Sequence, residues 1–96
     1  MTALAPLNIR HEEVSSIVWW QVPHSPERMA MADFVAVLEG DQELIAVRLV
    51  RVRLGEASIG RADVLRFEQP LAEWEEAAAD TVRRSLLDRQ TAGAQQ

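Results

Sequence analysis

Apolar and polar residues alternate from Glu13 to Val22, and this period of two predicts a β-strand. Val14, Ser16, Val18, Trp20 and Val22 share one face; Glu13, Ser15, Ile17, Trp19 and Gln21 share the other. The first set is the natural core face, which leaves Trp19 pointing outward among polar neighbours. Pro23-His24-Ser25-Pro26 then ends the strand. Between Ser25 and Leu38 two periods compete. Ser25, Pro26 and Glu27 form a helix start, with a capping hydroxyl and a first-turn proline. Met31, Phe34, Val35 and Leu38 continue it at helical spacing. Yet Phe34 to Leu38, the turn residues Glu39-Gly40-Asp41-Gln42 and the apolar run from Leu44 also read as a β-hairpin. The expectation is a short helical turn over Pro26–Met31, then a strand from Asp33 to Leu38, because the long strand that follows needs a neighbour.

That long strand is LIAVRLVRVRL, residues 44–54. Arg51 and Arg53 are two apart and share a face, whereas Arg48 on an unbroken strand would take the opposite one. Eleven residues span roughly 37 Å when extended, about twice the usual strand, so a bend or bulge is expected on length alone. A bulge near Leu49–Val50 would line up all three arginines. Gly55 to Gly60 reads as a turn. Ala62 to Glu68 reads as a fourth strand, with Leu65 and Phe67 on one face and Val64, Arg66 and Glu68 on the other.

Gln69-Pro70 opens a final helix to about Arg89. Leu71, Trp74, Ala78, Val82 and Leu86 recur every three or four residues and form one apolar stripe, which Leu87 widens at its end. Glu73, Glu75 and Glu76 near the start and Arg83, Arg84 and Arg89 near the end complement the helix dipole. Asp80 and Arg84 are spaced as an i,i+4 ion pair.

These elements predict an α+β fold: an antiparallel sheet of about four strands in ββββα order, with one long C-terminal helix packed on one face. Residues 1–96 form a single domain in this reading, with a loose arm over 1–8, a globular core over 9–90 and a frayed tail over 91–96. The expected core is Val18, Trp20, Phe34, Leu44, Leu65, Phe67, Leu71, Trp74, Val82 and Leu86.

Composition narrows the function classes. Fifteen acids against ten bases give a net charge of -5, which argues against a global electrostatic footprint for duplex nucleic acid or anionic membrane, though not against a local basic face. All ten bases are arginine, so lysine Schiff-base chemistry is excluded; codon bias explains the missing lysine more simply than selection for bidentate donors. The absence of cysteine removes disulfides, thiolate nucleophiles and thiolate zinc sites, and fits a reducing cytoplasm. The start, MTALAPLNIR, has no basic n-region and no long apolar stretch, and no apolar run approaches the ~20 residues that span a bilayer. A cytoplasmic chain without membrane contact is the expectation.

Specific chemistry is sparse. His11, Glu12, Glu13 and His24 are suitable metal ligands by type, but their spacing matches no known ligand pattern, and solvated polar residues beside a strand explain them as well. No nucleophile elbow, phosphate loop or dinucleotide fingerprint occurs. No catalytic residue, metal or cofactor is therefore expected. The residues that carry a binding reading are Trp19, Arg48, Arg51, Arg53 and Arg66. Arginines beside an exposed aromatic on a sheet suit single-stranded nucleic acid. The same types suit a protein interface. One helix covers one sheet face, and the other face carries Ile17 and Trp19, with Ile45, Val47 and Leu49 as further candidates. So apolar a face favours a non-catalytic interaction or regulatory domain that self-associates there as a two-fold dimer, with another protein partner as the variant and nucleic acid as the alternative. In that reading Arg51 and Arg53 pair with acids such as Glu13 or with acids across the interface.

The helical stripe makes the first testable claim. Trp74→Ala removes its largest side chain and should cost ~3–5 kcal/mol in chemical denaturation. A loss under about 1 kcal/mol, the scale of a surface substitution, would place the stripe away from the core.

Overall fold

The computed structural model describes residues 8–94 of the chain. Three twelve-residue strands, β1 (Ile9–Trp20), β2 (Arg28–Glu39) and β3 (Glu43–Leu54), are followed by a short β4 (Ala57–Gly60), helix α1 (Arg61–Arg66) and helix α2 (Leu71–Ala94). The strands form one antiparallel sheet in the order β1-β2-β3-β4. The predicted α+β architecture is present, with α1 as an added element. The arm over residues 1–7 and the last two residues of the expected tail lie outside the described residues; residues 91–94 of that tail are helical.

β2 runs extended from Arg28, so no helical turn occupies Pro26–Met31. Its core face is Ala30, Ala32, Phe34, Ala36 and Leu38, all buried. Alanine has weak strand preference on its own. Here its small size lets bulky side chains sit over the middle strand. The turn after β3 is two residues long, Gly55-Glu56, with Gly55 at φ 60, the conformation a glycine-first hairpin loop requires. The expected turn over Gly55–Gly60 is therefore mostly β4. The expected fourth strand over Ala62–Glu68 is α1 and its exit: Val64 is buried, whereas Leu65 and Phe67 are 52 % and 56 % exposed. Their alternation reflects no sheet pairing. Phe67 instead meets the Trp20 ring edge-on at a centroid distance of 6.0 Å.

α2 packs on the core face with Leu71, Trp74, Ala78, Val82 and Leu86 all buried, as the stripe predicts. Trp74 stands 6.4 Å from Trp20, centroid to centroid. Leu44 is only partly buried against the Val82–Leu86 end of the core, and Leu87 is exposed instead of widening the face. Asp80 pairs with Arg83 at 2.9 Å, one residue nearer than the expected Arg84. At its far end α2 is tied to β1 by Arg89, whose two Nη groups donate to the Glu12 carboxylate at 3.1 and 2.8 Å. The molecule's thinnest extent, 21 Å, fits one sheet layer and one helix layer.

Two polar side chains finish what the strands leave open. Gln69 is buried, and its amide takes both backbone groups of Gln21: Oε1 accepts from the Gln21 N–H at 2.7 Å and Nε2 donates to the Gln21 carbonyl at 2.9 Å. It thereby pins the end of β1 to the approach to α2. On the other side, β4 pairs only with Arg51–Leu54 and leaves the β3 edge beyond it bare. Glu75 of α2 accepts the Leu49 N–H there at 2.8 Å and is held by Arg61 at 3.2 Å. Burial alone would raise the Glu75 carboxyl pKa, but Arg61 and the Leu49 N–H outweigh it, and the net shift is downward.

Glu75→Ala leaves the Leu49 N–H and Arg61 without their acceptor and should cost ~1–3 kcal/mol in denaturant unfolding. Glu75→Gln, which keeps one acceptor oxygen, should lose less; equal losses would show that the contact to Leu49 contributes little.

Candidate functional site: the outer face of the sheet

The outer face is built by the odd-numbered residues of β1 and β2 and by β3 in two phases. Between the pairs Phe34↔Leu49 and Asp33↔Arg51 one extra residue, Val50, enters β3. A second shift, between Val37↔Ala46 and Leu38↔Leu44, leaves Ile45 as an extra residue. Residues opposite each other in an antiparallel pair share a face. Arg48 opposes Val35, Arg51 opposes Asp33 and Arg53 opposes Met31, so all three arginines face outward. Of the two arrangements the sequence left open for Arg48, the one with a bulge near Leu49–Val50 is present. Val47 and Leu49 oppose Ala36 and Phe34 and turn into the core, which removes them from the outer apolar set proposed from sequence.

The face reads as rows across three strands: Ile17–Met31–Arg53, Ser15–Asp33–Arg51, Glu13–Val35–Arg48 and His11–Val37–Ala46. Trp19 opposes Met29 at the end of the sheet. Ile17, Trp19 and Met29 are 57 %, 52 % and 62 % exposed, an uncovered apolar corner. The midline residues Met31, Val35 and Val37 are half-buried between the flanking strands.

Asp33 organises the centre. Arg53 donates to both its oxygens at 2.9 Å, Arg51 Nε donates to Oδ2 at 2.8 Å, and the Ser15 hydroxyl donates to Oδ1 at 2.7 Å. The Asp33 side chain is only 15 % exposed. The Arg53 bond, then that of Ser15, holds its pKa down to about 2, from 3.8. The acid partner of Arg51 and Arg53 is therefore Asp33 and not Glu13. Sequence reasoning missed it because the helical reading of Pro26–Met31 began the strand at Asp33 itself. A strand begun at Arg28 places Asp33 in phase with Met29, Met31 and Val35, on the arginine face.

Arg66 is not on the sheet. It lies in α1, largely in solvent, 3.9 Å from Asp63, so it leaves the proposed row. Arg48 and Glu13 are exposed, and neither makes an ion pair among the described residues. Glu13, Asp33, Val35, Arg51 and Arg53 enclose a shallow depression of ≈ 300 Å³.

No family model, curated protein or solved structure matches this chain.

The central groups of the face, Asp33 and Ser15, are poorly set up to move protons. At neutral pH Asp33 is ionised with both oxygens engaged, which makes it a weak proton acceptor, and Ser15 spends its hydroxyl hydrogen on Asp33. The proposed ligands are dispersed: His11 and Glu13 lie on the outer face, Glu12 is bound by Arg10 and Arg89, and His24 sits in the turn beyond the opposite end of β1. Among the described residues no three histidine or carboxylate groups converge as metal ligands, and no helix is long and apolar enough to cross a membrane.

The depressed Asp33 pKa fixes a pH dependence. Its stabilisation is present above about pH 4 and drains as pH falls toward 2, because the unfolded chain takes up the proton first. An NMR titration of the Asp33 carboxyl should give a midpoint near 2, and Arg53→Gln should move it toward the ordinary value. A wild-type midpoint near 3.8 would mean that the arginines do not hold the carboxylate in solution.

Proposed function

We propose that this protein is a non-catalytic interaction domain that self-associates through the outer face of its sheet. The observation that carries the reading is the exposed Ile17–Trp19–Met29 corner, which continues to Met31 and, beyond the paired Asp33, to Val35 and Val37. Large side chains of this kind left in water are the usual mark of a docking surface, and tryptophan, methionine and arginine are the types enriched in interfaces. Three strands spaced ~4.8 Å apart and about 37 Å long offer roughly 500 Å² per copy, the low end for a specific complex, so a weak, concentration-dependent dimer is expected. The site belongs in a protein of the cytoplasm in this reading, since a chain without cysteine has no need of an oxidising compartment.

A single-stranded nucleic-acid interface is the rival. Two features weigh against it: Asp33 engages both central arginines and cancels one of their two charges, and Arg66 lies off the sheet. Phosphate contacts would also make binding fall steeply with salt.

Sedimentation over a hundredfold concentration range should show monomer passing to dimer, and Trp19→Asp should abolish the dimer with the fold intact by circular dichroism. A strict monomer at the highest concentration, together with salt-sensitive oligonucleotide binding, would overturn the reading in favour of the rival.

A further inference from the structure

The distribution of charge across the outer face says how two copies would meet. β1 carries its one outward carboxylate at Glu13, and β3 carries Arg48, Arg51 and Arg53, with Glu43 at its start beside Glu39 of β2. Arg51 and Arg53 are already bonded to Asp33. Glu13 and Arg48 are exposed, of opposite sign and without ion-pair partners among the described residues, and Arg48 is the one base of the outer β3 row left so. They sit in one row, on either side of Val35.

From this arrangement we infer that the partner is a second copy of the chain, related by a two-fold axis that runs along β2 between the two faces, so that Glu13 of each copy pairs with Arg48 of the other. The inference rests on the sheet-face reading above. A rotation about an axis along the middle strand lays β1 of one sheet over β3 of its partner and keeps each row level with itself. The row Glu13–Val35–Arg48 then meets its own reverse, acid over base, apolar over apolar, base over acid. Isologous contacts of this kind are self-complementary by symmetry.

Neighbouring rows fit the same axis. Met31, Val35 and Val37 lie on the line where each residue meets its own copy, an apolar seam. Asp33 and, in the end row Ile9–Glu39–Glu43, Glu39 also fall on that line. The Asp33 charge is compensated within its own chain by Arg51 and Arg53, so the two Asp33 carboxylates do not confront each other bare, and the Glu39 pair lies at the end of the sheet, away from the Glu13–Arg48 row. In the row beyond Asp33, Ile17 lies over the aliphatic stem of the partner's Arg53, whose head is held back by Asp33. An axis perpendicular to the strands would instead set β1 on β1 and β3 on β3, bringing three arginines against three. Like charges placed across an interface are strongly disfavoured.

Charge reversal tests the arrangement. Glu13→Arg alone sets the new guanidinium of each copy against Arg48 of the other, and Arg48→Glu alone places two carboxylates together. Each variant should weaken its own homodimer by at least ~tenfold, as expected for like charges forced into contact. An equimolar mixture of the two should recover dimer, because in the mixed dimer both cross-chain pairs are of opposite sign: the two substituted positions meet as base on acid, and the unsubstituted Arg48 of one chain meets the unsubstituted Glu13 of the other. Sedimentation velocity of each variant alone and of the mixture reads this directly, with circular dichroism to confirm that both are folded. Variants that dimerise like wild type, while Trp19→Asp does not, would overturn the axis and leave the sheet-face reading standing. Variants that are monomeric both alone and mixed would also overturn the Glu13–Arg48 pairing. A wild-type chain that stays monomeric would overturn both.

Discussion

At Val50 one extra residue enters β3, and the two faces of the molecule depend on that step. Without it, Leu49 and Val52 would point to opposite sides, and so would Arg48 and Arg51. With it, Leu49 and Val52 both enter the core, while Arg48, Arg51 and Arg53 all leave it. A charged arginine facing the core would need a buried acid at a desolvation cost of several kcal/mol. The bulge avoids that cost by spending one unpaired residue at an exposed position.

The sheet is finished differently on its two faces and its two edges. α2 seals the core face from Trp74 against Trp20 at one end to Arg89 on Glu12 at the other. On the β3 side, β4 and the Glu75 carboxylate occupy the edge. On the β1 side no described strand pairs with the outer edge, although Gln69 closes Gln21, the residue just past its end. The outer face has no second layer among the described residues. Its centre is instead made self-sufficient by Asp33, which joins three strands through Ser15, Arg51 and Arg53. Paired charges at the centre and apolar side chains at the corner form a surface with fixed geometry and unspent hydrophobic area.

The acidic balance of the chain takes on meaning in this arrangement. Asp33, Glu75 and Glu12 each hold at least one arginine, and in all three the carboxyl pKa is lowered. These arginines therefore act first as structural cross-links between strands and helices. Reading arginines in a strand as a basic binding row overlooks the acid that the neighbouring strand supplies. Within the outward row of β3 Arg48 is the exception, facing outward beside the bulge with no ion pair among the described residues.

Local sequence pattern by itself determined β1, β3 and α2. β1 and α2 carry a regular apolar pattern with large side chains against one continuous surface, so the period survives in the sequence; in β3 it is broken at Ile45 and Val50, and the run of β-forming residues carries the reading. The excess length of β3 even implied its bulge. β2 was less legible, because its core face holds three alanines that score as helix formers; only the bulk of Trp20 and Trp74 above them explains why small residues sit there. The segment 57–68 was misread because Leu65 and Phe67 alternate without being buried, while Val64, the residue that is buried, has polar and apolar neighbours alike. Three of the five residues singled out for binding, Arg48, Arg51 and Arg53, share the outer face with Trp19, and Arg66 does not. Asp33 stayed hidden because its role is a pairing across strands. The partner of a charge on one strand is set by register, and register is a property of the assembled sheet that no single strand carries.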